Sequence, residues 1–69
     1  MNWVSVVSSN LSAVAYEPSN STLYIRFKGS GTYAYYGVPA SVHRSLMSAA
    51  SHGEYHAAFI KNRYRYAKL

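Results

Sequence analysis

The sequence predicts an α+β fold in which a three-stranded antiparallel meander is covered on one face by helices. Apolar side chains alternate with polar ones over residues 22–28, which is the period of a half-buried strand. After Pro39, apolar residues recur at helical spacing over residues 40–50. A chain of 69 residues is long enough for one small core, so we expect a single domain, residues 1–69.

Three strands are expected in the first half of the chain, at residues 11–16, 22–28 and 32–36. The segment 17–21 is rich in proline, serine and asparagine, which is typical of a turn. Gly29 and Gly31 supply the residues that a tight hairpin needs where φ is positive. The apolar segment 1–7 is expected to be an arm that can add a fourth strand at a sheet edge.

The loop lengths predict the register of the meander. Tyr16 is expected opposite Leu23, and Phe27 opposite Tyr33 across a three-residue loop. One face then carries Val14, Tyr16, Leu23, Ile25, Phe27, Tyr33 and Tyr35, and the other carries Tyr24, Arg26, Lys28 and Tyr36. A four-residue loop would move both tyrosines of the third strand to the charged face, because one residue of slip exchanges the faces. The three-residue loop is preferred because it keeps the apolar residues together.

Two helices are expected after Pro39, which suits the first turn of a helix. The main helix covers residues 40–50 and is followed by Gly53, a typical C-terminal cap. A short second helix covers residues 54–61 and packs on the same face of the sheet. Its inward-facing residues are expected to be Tyr55, Phe59 and Ile60.

The composition restricts the class of protein. Seven Lys or Arg residues against two acidic ones give a net charge of +5, which favours anionic partners such as nucleic acid, although solubility alone also accounts for it. The absence of cysteine excludes disulfides and thiolate metal sites, and it fits the cytoplasm. No apolar run approaches a transmembrane length, so no membrane association is expected.

The order and spacing of short motifs along nearly the whole chain resemble one protein family. The motifs are Ser9-Asn10, Val14 with Tyr16, Leu23-x-Ile25-x-Phe27, Gly31, Tyr33-Ala34-Tyr35, Val38-Pro39, Ala50-x-x-Gly53 and Ile60-Lys61 with Tyr64. Together they resemble the KTSC domain, which is named for the C-terminus of certain lysyl-tRNA synthetases and also occurs in small stand-alone proteins of bacteria and phages. One departure is His56-Ala57, where the family usually has an aromatic residue and an asparagine.

What the resemblance implies about function comes from the synthetase context. The family has no established activity, and its link to tRNA synthetases implies RNA binding by analogy. The resemblance also implies a bacterial or phage source.

Basic and aromatic residues alternate near the C-terminus, a pattern that suits backbone phosphates and stacked bases. The candidate nucleic-acid-binding residues are Lys61, Arg63, Tyr64, Arg65, Tyr66 and Lys68. Arg26 and Lys28 on the outer sheet face would extend this patch. The alternative interpretation is a solvated, frayed tail beside ordinary exposed strand residues.

The two tyrosines of the family motif, Tyr33 and Tyr35, have two interpretations. They form a stacking platform for bases, as in sheet-based RNA binders, or they are core aromatics beneath the helices. The preferred register favours the core.

No catalytic residue, metal site or cofactor is expected. His52 and His56 lie four residues apart, but Gly53 interrupts the helix and the sequence offers no third ligand, so they are expected to be exposed polar residues. Only Glu17 and Glu54 could orient a catalytic base, and no nucleophile-elbow motif is present.

Two functions follow as hypotheses. The first is a small non-catalytic module that binds nucleic acid, with RNA preferred. The second is a protein-interaction or homo-oligomerising module, in which Trp3, Tyr24 and Tyr36 would form an exposed aromatic patch.

Overall fold

The computed structural model describes residues 1–69 and has an α+β fold, as predicted. Five antiparallel strands form one sheet in the order β1-β2-β3-β4-β5. The elements are β1 (Val4–Ser5), β2 (Leu11–Glu17), β3 (Thr22–Phe27), β4 (Gly31–Tyr35), α1 (Ala40–Ser48), α2 (His52–Phe59) and β5 (Tyr66–Lys68). The predicted arm at the N-terminus does add an edge strand, and the C-terminal tail adds a fifth strand that was not predicted. No helix has the length and apolar character needed to cross a membrane.

The register between β2 and β3 is the predicted one. Tyr16 lies opposite Leu23 and Val14 opposite Ile25. The turn residues and the alternation of apolar residues therefore identified the correct pairing, although Glu17, predicted to lie in the turn, itself pairs with Thr22. An irregularity in the pairing between Leu11 and Ala13 was not predicted.

The register between β3 and β4 differs from the predicted one by two residues. Tyr33 lies opposite Ile25 rather than Phe27, and Tyr35 lies opposite Leu23. The strands extend to Gly31, which pairs with Phe27, and the three-residue loop is therefore 28–30. A shift of two residues leaves every side chain on its face because the side-chain period of a strand is two. Both tyrosines thus lie on the predicted apolar face.

The core lies between this face of the sheet and the helices. Its fully packed members are Leu11, Val14, Leu23, Ile25, Tyr35, Val38, Leu46 and Ile60. Because Leu46 comes from α1 and Ile60 directly follows α2, both helices hold the same sheet face. The Tyr16 hydroxyl donates a hydrogen bond to the Val38 carbonyl oxygen at 2.6 Å, which ties the segment before α1 to β2.

The helix boundaries differ from the predicted ones at the junction of α1 and α2. The α1 helix ends at Ser48, and α2 begins at His52. The Ser51 hydroxyl accepts a hydrogen bond from the backbone N–H of Glu54 at 3.2 Å, as an N-terminal cap does. Gly53 therefore lies in the first turn of α2, and its predicted role as a C-terminal cap of α1 is wrong. A Cβ at this position would collide with the side-chain oxygen of Asn10.

The inward face of α2 also differs in one residue. Tyr55 and Ile60 pack on the core as predicted, but Phe59 is 48% exposed. The buried residue of α2 is His56, and Ile60, four residues later and just after the helix, continues the same buried face. Phe59 lies beside this face and contacts Tyr55, with ring centroids 4.8 Å apart.

The C-terminal segment is held by backbone hydrogen bonds to the edge of the meander. The N–H of Tyr36 donates to the carbonyl of Arg65 at 2.9 Å, and the N–H of Leu69 donates to the carbonyl of Thr32 at 2.8 Å. Tyr66 lies opposite Tyr35, and Lys68 opposite Tyr33. The tail is therefore part of the sheet rather than a frayed end.

Candidate nucleic-acid interface

A cleft of about 340 Å³ lies between the helix-covered face of the sheet and α2. Strands β3, β4 and β5 form one side of it, and α2 with the following loop forms the other. The lining residues are Asn10, Phe27, Ser30, Tyr33, Tyr35, Gly53, His56, Ala57, Lys61, Asn62 and Tyr66. The cleft brings together residues from both halves of the chain.

The floor of the cleft is a hydrogen-bonded pair. The Tyr35 hydroxyl and Nε2 of His56 are 2.8 Å apart, and both residues are buried. Burial raises the pKa of Tyr35 to about 12, and the neighbouring Tyr33 and Tyr66 add to this shift. Burial also lowers the pKa of His56, and the positive charge of Lys61 lowers it further. At neutral pH the hydrogen bond therefore joins two uncharged groups.

Aromatic rings form the walls. The Tyr66 ring lies 5.9 Å from Tyr33 and 5.8 Å from Tyr35 between centroids. Phe27 meets Tyr33 edge-on at 5.5 Å and His56 at 5.0 Å. These distances are typical of aromatic pairs, which stabilise one another by ring contacts.

Cations stand at the mouth of the cleft. Lys61 is among the lining residues, and Nζ of Lys68 lies 6.0 Å from the centroid of the Tyr33 ring. Neither acidic residue lines the cleft: Glu54 is exposed in the first turn of α2, and Glu17 accepts a hydrogen bond from Ser19 at the β2–β3 turn. The mouth therefore carries lysine ammonium groups, and no carboxylate side chain is among the lining residues.

The predicted basic tail divides between the cleft and the loop that leads to β5. Lys61 and Tyr66 line the cleft, and Lys68 lies beside its Tyr33 wall, whereas Arg63 and Arg65 are exposed on the connecting loop. The loop forms a shallow depression lined by Lys61, Asn62, Arg63, Tyr64, Arg65 and Tyr66. Tyr64 is half-buried and packs against the core, which makes its side chain less available for stacking than that of Tyr66.

The other two predicted cations lie apart from the cleft. The Arg26 guanidinium lies over the Trp3 ring at 4.3 Å, on the outer face of the sheet. Nζ of Lys28 donates a hydrogen bond to the Ser8 carbonyl oxygen at 2.7 Å. The structure therefore does not bring Arg26 together with the C-terminal cations.

The outer face carries the aromatic residues of the second hypothesis. Trp3 and Tyr24 meet edge-on with ring centroids 6.5 Å apart, and both are half-buried. Tyr36 follows β4, is 38% exposed and takes no part in the ring contact between Trp3 and Tyr24. Two of the three predicted residues therefore form a cluster, together with Arg26.

The two histidines at the helix junction are not the exposed polar residues that the sequence suggested. His56 is 6% exposed and bonded to Tyr35, and Nδ1 of His52 donates a hydrogen bond to the Leu46 carbonyl oxygen at 2.8 Å. The prediction was wrong because it gave Phe59 to the inward face of the second helix, whereas that face carries His56.

Seven lining residues were not predicted as site residues: Asn10, Phe27, Ser30, Gly53, His56, Ala57 and Asn62. Asn10 precedes β2 and Ser30 lies in the hairpin loop, so only the folded sheet brings them near α2. One sequence feature indicated this region, because at His56 the sequence departs from the residue that the family usually has. The preferred interpretation of the motif tyrosines is confirmed, because Tyr35 is a core residue and Tyr33 is half-buried and packs against the core. Both also line the cleft, and base stacking on them stays a prediction.

Comparison with a family model and with known proteins identifies the relatives. The KTSC domain model matches residues 7–64. A protein from Tsukamurella paurometabola is 39% identical over 64 residues, which are 93% of this chain and 96% of that protein. A lysine–tRNA ligase from Nostoc is 38% identical over 61 residues, which are 88% of this chain but only 11% of the ligase.

A solved structure has the same fold. The crystal structure of a KTSC domain protein from Yersinia pestis superimposes with a TM-score of 0.97 at 37% sequence identity. The alignment covers 99% of this chain and 96% of that one. The chain therefore belongs to the KTSC domain family.

Proposed function

We propose that this protein is a small, non-catalytic nucleic-acid-binding module of bacterial or phage origin that acts on RNA in the cytoplasm. The observation that carries the proposal is the cleft, in which aromatic walls stand directly beneath a positive mouth. Tyr33 and Tyr66 offer ring faces, and Lys61 and Lys68 offer ammonium groups. Bases stack on aromatic side chains, and phosphates are held by Lys and Arg, so one ligand class satisfies both features.

The kinship with synthetases supports RNA as the nucleic acid. The matched segment of the Nostoc protein is a small part of a lysine–tRNA ligase, a protein named for its action on tRNA. A small domain attached to such an enzyme works close to RNA. A net charge of +5 on 69 residues adds long-range attraction to any polyanion.

A binding rather than catalytic role is supported by the chemistry of the cleft floor. Its one histidine, His56, has Nε2 engaged with the Tyr35 hydroxyl. No carboxylate or thiol lines the cleft, and the only lining hydroxyl besides those of the tyrosines is that of Ser30. A nucleophile with an oriented base, as hydrolases use, is not assembled here.

The test is binding of labelled single-stranded RNA, followed by fluorescence anisotropy at several salt concentrations. The variant Lys61→Gln/Lys68→Gln removes two charges at the cleft. The matched control Arg26→Gln/Arg44→Gln removes two charges from exposed residues that do not line it. Both variants have the same net charge, so only the position of the lost charges differs.

The cleft variant should bind more weakly and with a flatter dependence on salt. Each phosphate contact on a single strand contributes about −0.7 to the log–log slope, so two lost contacts should reduce the slope by about 1–1.5. The control should keep most of the parent slope. Equal slopes for the two variants, or no binding by the parent even at low salt, would contradict the proposal.

The second candidate function, a protein-interaction or homo-oligomerising module, is favoured by the outer-face cluster. A Trp–Tyr pair with an arginine stacked over it is a composition enriched in protein interfaces. Size-exclusion chromatography of the parent and of Trp3→Ala at several salt concentrations tests this function. A larger species that Trp3→Ala converts to a monomer would place this function first.

A further inference from the structure

The size of the cleft limits what can enter it. Its volume of about 340 Å³ is near the lower end of the 300–1,000 Å³ that is typical of small-molecule sites. The hydrogen bond between Tyr35 and His56 closes its floor, and Tyr66 stands at one side. A single planar ring system fits such a space, whereas a run of stacked bases needs a longer platform.

The distribution of polar groups indicates how such a ring would be oriented. Lys61 is exposed and lines the cleft, and the exposed Lys68 lies over Tyr33. A charged part of the ligand therefore stays outside, at the mouth, and it is an anion. Asn10 and Asn62 line the cleft and carry amides, which donate to and accept from the edges of bases.

We infer that the cleft accepts the base of a single unpaired nucleotide, while the phosphate of that nucleotide meets Lys61 and Lys68. This inference rests on the proposed function and narrows it, because it replaces a general single-strand surface with a site for one nucleotide. An unpaired nucleotide at the end of an RNA duplex or in an RNA bulge has one free base face. Its base can leave the stacked RNA with a small cost in free energy.

The experiment uses RNA duplexes of one sequence with a blunt end or with one, two or three unpaired 3′ nucleotides. A further duplex carries a one-nucleotide overhang that lacks its base. The first unpaired nucleotide should raise the affinity by about 5- to 150-fold, the range for stacking one base on aromatic side chains. The second and third should add little, and the abasic overhang should bind like the blunt duplex.

A pair of substitutions tests the cleft without removing any of its groups. Ala57 and Ala58 are neighbouring exposed residues of α2, and only Ala57 lines the cleft. Ala57→Trp should fill the space and abolish the gain from the overhang, measured against the blunt duplex in the same variant. Ala58→Trp should keep the full gain.

Three results would overturn the inference: equal gains for each added nucleotide, a gain from the abasic overhang, or a gain that survives Ala57→Trp. If single-stranded RNA binds with the expected salt dependence while overhangs make no difference, the proposed function stands and only the one-nucleotide site falls. If no RNA binds at low salt, both fall.

Discussion

The Tyr35 hydroxyl and Nε2 of His56 lie 2.8 Å apart, joining the central part of the sheet to α2 beneath the cleft. The two residues are 21 positions apart in the chain, and both are buried. Every buried side-chain nitrogen and oxygen has a hydrogen-bond partner. If one residue of this pair is replaced, the polar atom of the other stays buried without a partner and costs its full desolvation free energy.

Tyr35→Phe should destabilise the protein by about 1–3 kcal/mol, because Nε2 of the buried His56 then has no side-chain partner. For a domain of this size, a loss of 1 kcal/mol lowers the melting temperature by roughly 4–8 °C. Urea unfolding and thermal melts measure both quantities. The control is Tyr36→Phe at the exposed neighbour, which should change stability by less than about 0.5 kcal/mol. Equal effects at the two positions would show that the hydrogen bond contributes nothing.

Stability should fall as the pH is lowered from about 7 to 5. The pKa values of His43 and His56 are both lowered in the folded chain, mainly by burial, with Arg44 and Lys61 respectively adding to the effect. The unfolded chain, whose histidines titrate near pH 6.5, then binds more protons than the folded chain in this window. The two uncharged histidines contribute fully to the free energy of unfolding above about pH 6.5. This contribution is lost as the pH falls toward their lowered pKa values in the folded chain.

The pH effect is measured by urea unfolding at several pH values in the parent and in two variants. His56→Gln and His43→Gln should each flatten part of the pH dependence. The sequence contains only two carboxylate side chains, which leaves few other groups to titrate near this range. A pH dependence that neither variant changes would mean that burial of the histidines is not its source.

The effect of Gly53→Ala on the free energy of unfolding should depend strongly on the Asn10 side chain. Alanine in a helix is more favourable than glycine by about 1 kcal/mol, but the added Cβ would collide with the Asn10 side-chain oxygen. That oxygen accepts a hydrogen bond from the Ser8 hydroxyl at 3.1 Å, so moving it breaks this contact. In the Asn10→Ala background, Gly53→Ala should therefore raise the free energy of unfolding by about 1 kcal/mol, and in the parent it should raise it clearly less. A double-mutant cycle from urea unfolding measures the difference, and identical gains in both backgrounds would contradict the contact.

The loop arginines should contribute to RNA binding through charge alone. Neutralising Arg63 and Arg65 together should reduce the log–log salt slope by about 1–1.5, from roughly −3 for four phosphate contacts. The effect should be nearly the same for RNAs of different sequence, because phosphate contacts carry no base information. Tyr66→Ala should instead lower the affinity with little change in slope, since stacking releases no counterions. Anisotropy titrations at several salt concentrations measure these slopes, and an unchanged slope would exclude the loop from the interface.

Much of the fold could be predicted because the relevant signals are local. The alternation around Ile25 assigned the strand and its buried face, and the two-residue error in the β3–β4 register did not change the faces of Tyr33 and Tyr35. The helices were found from their apolar spacing, but the cap at Ser51 was missed, and Gly53 was misassigned as a consequence. Of the residues that line the cleft, Lys61 and Tyr66 were visible in the basic and aromatic tail, and Tyr33 and Tyr35 were visible as motif residues.

The sequence by itself determined the fold class, the family and the buried face of the sheet, because period, turn residues and motif order depend only on neighbours along the chain. The tertiary structure alone decided that the tail is a strand, and that Tyr66 therefore stands beside Tyr35. It also decided that His56 lies under the cleft, where burial lowers its pKa. These features depend on hydrogen bonds and ring contacts between residues far apart in the chain, and no local pattern reports which distant partner a side chain will meet.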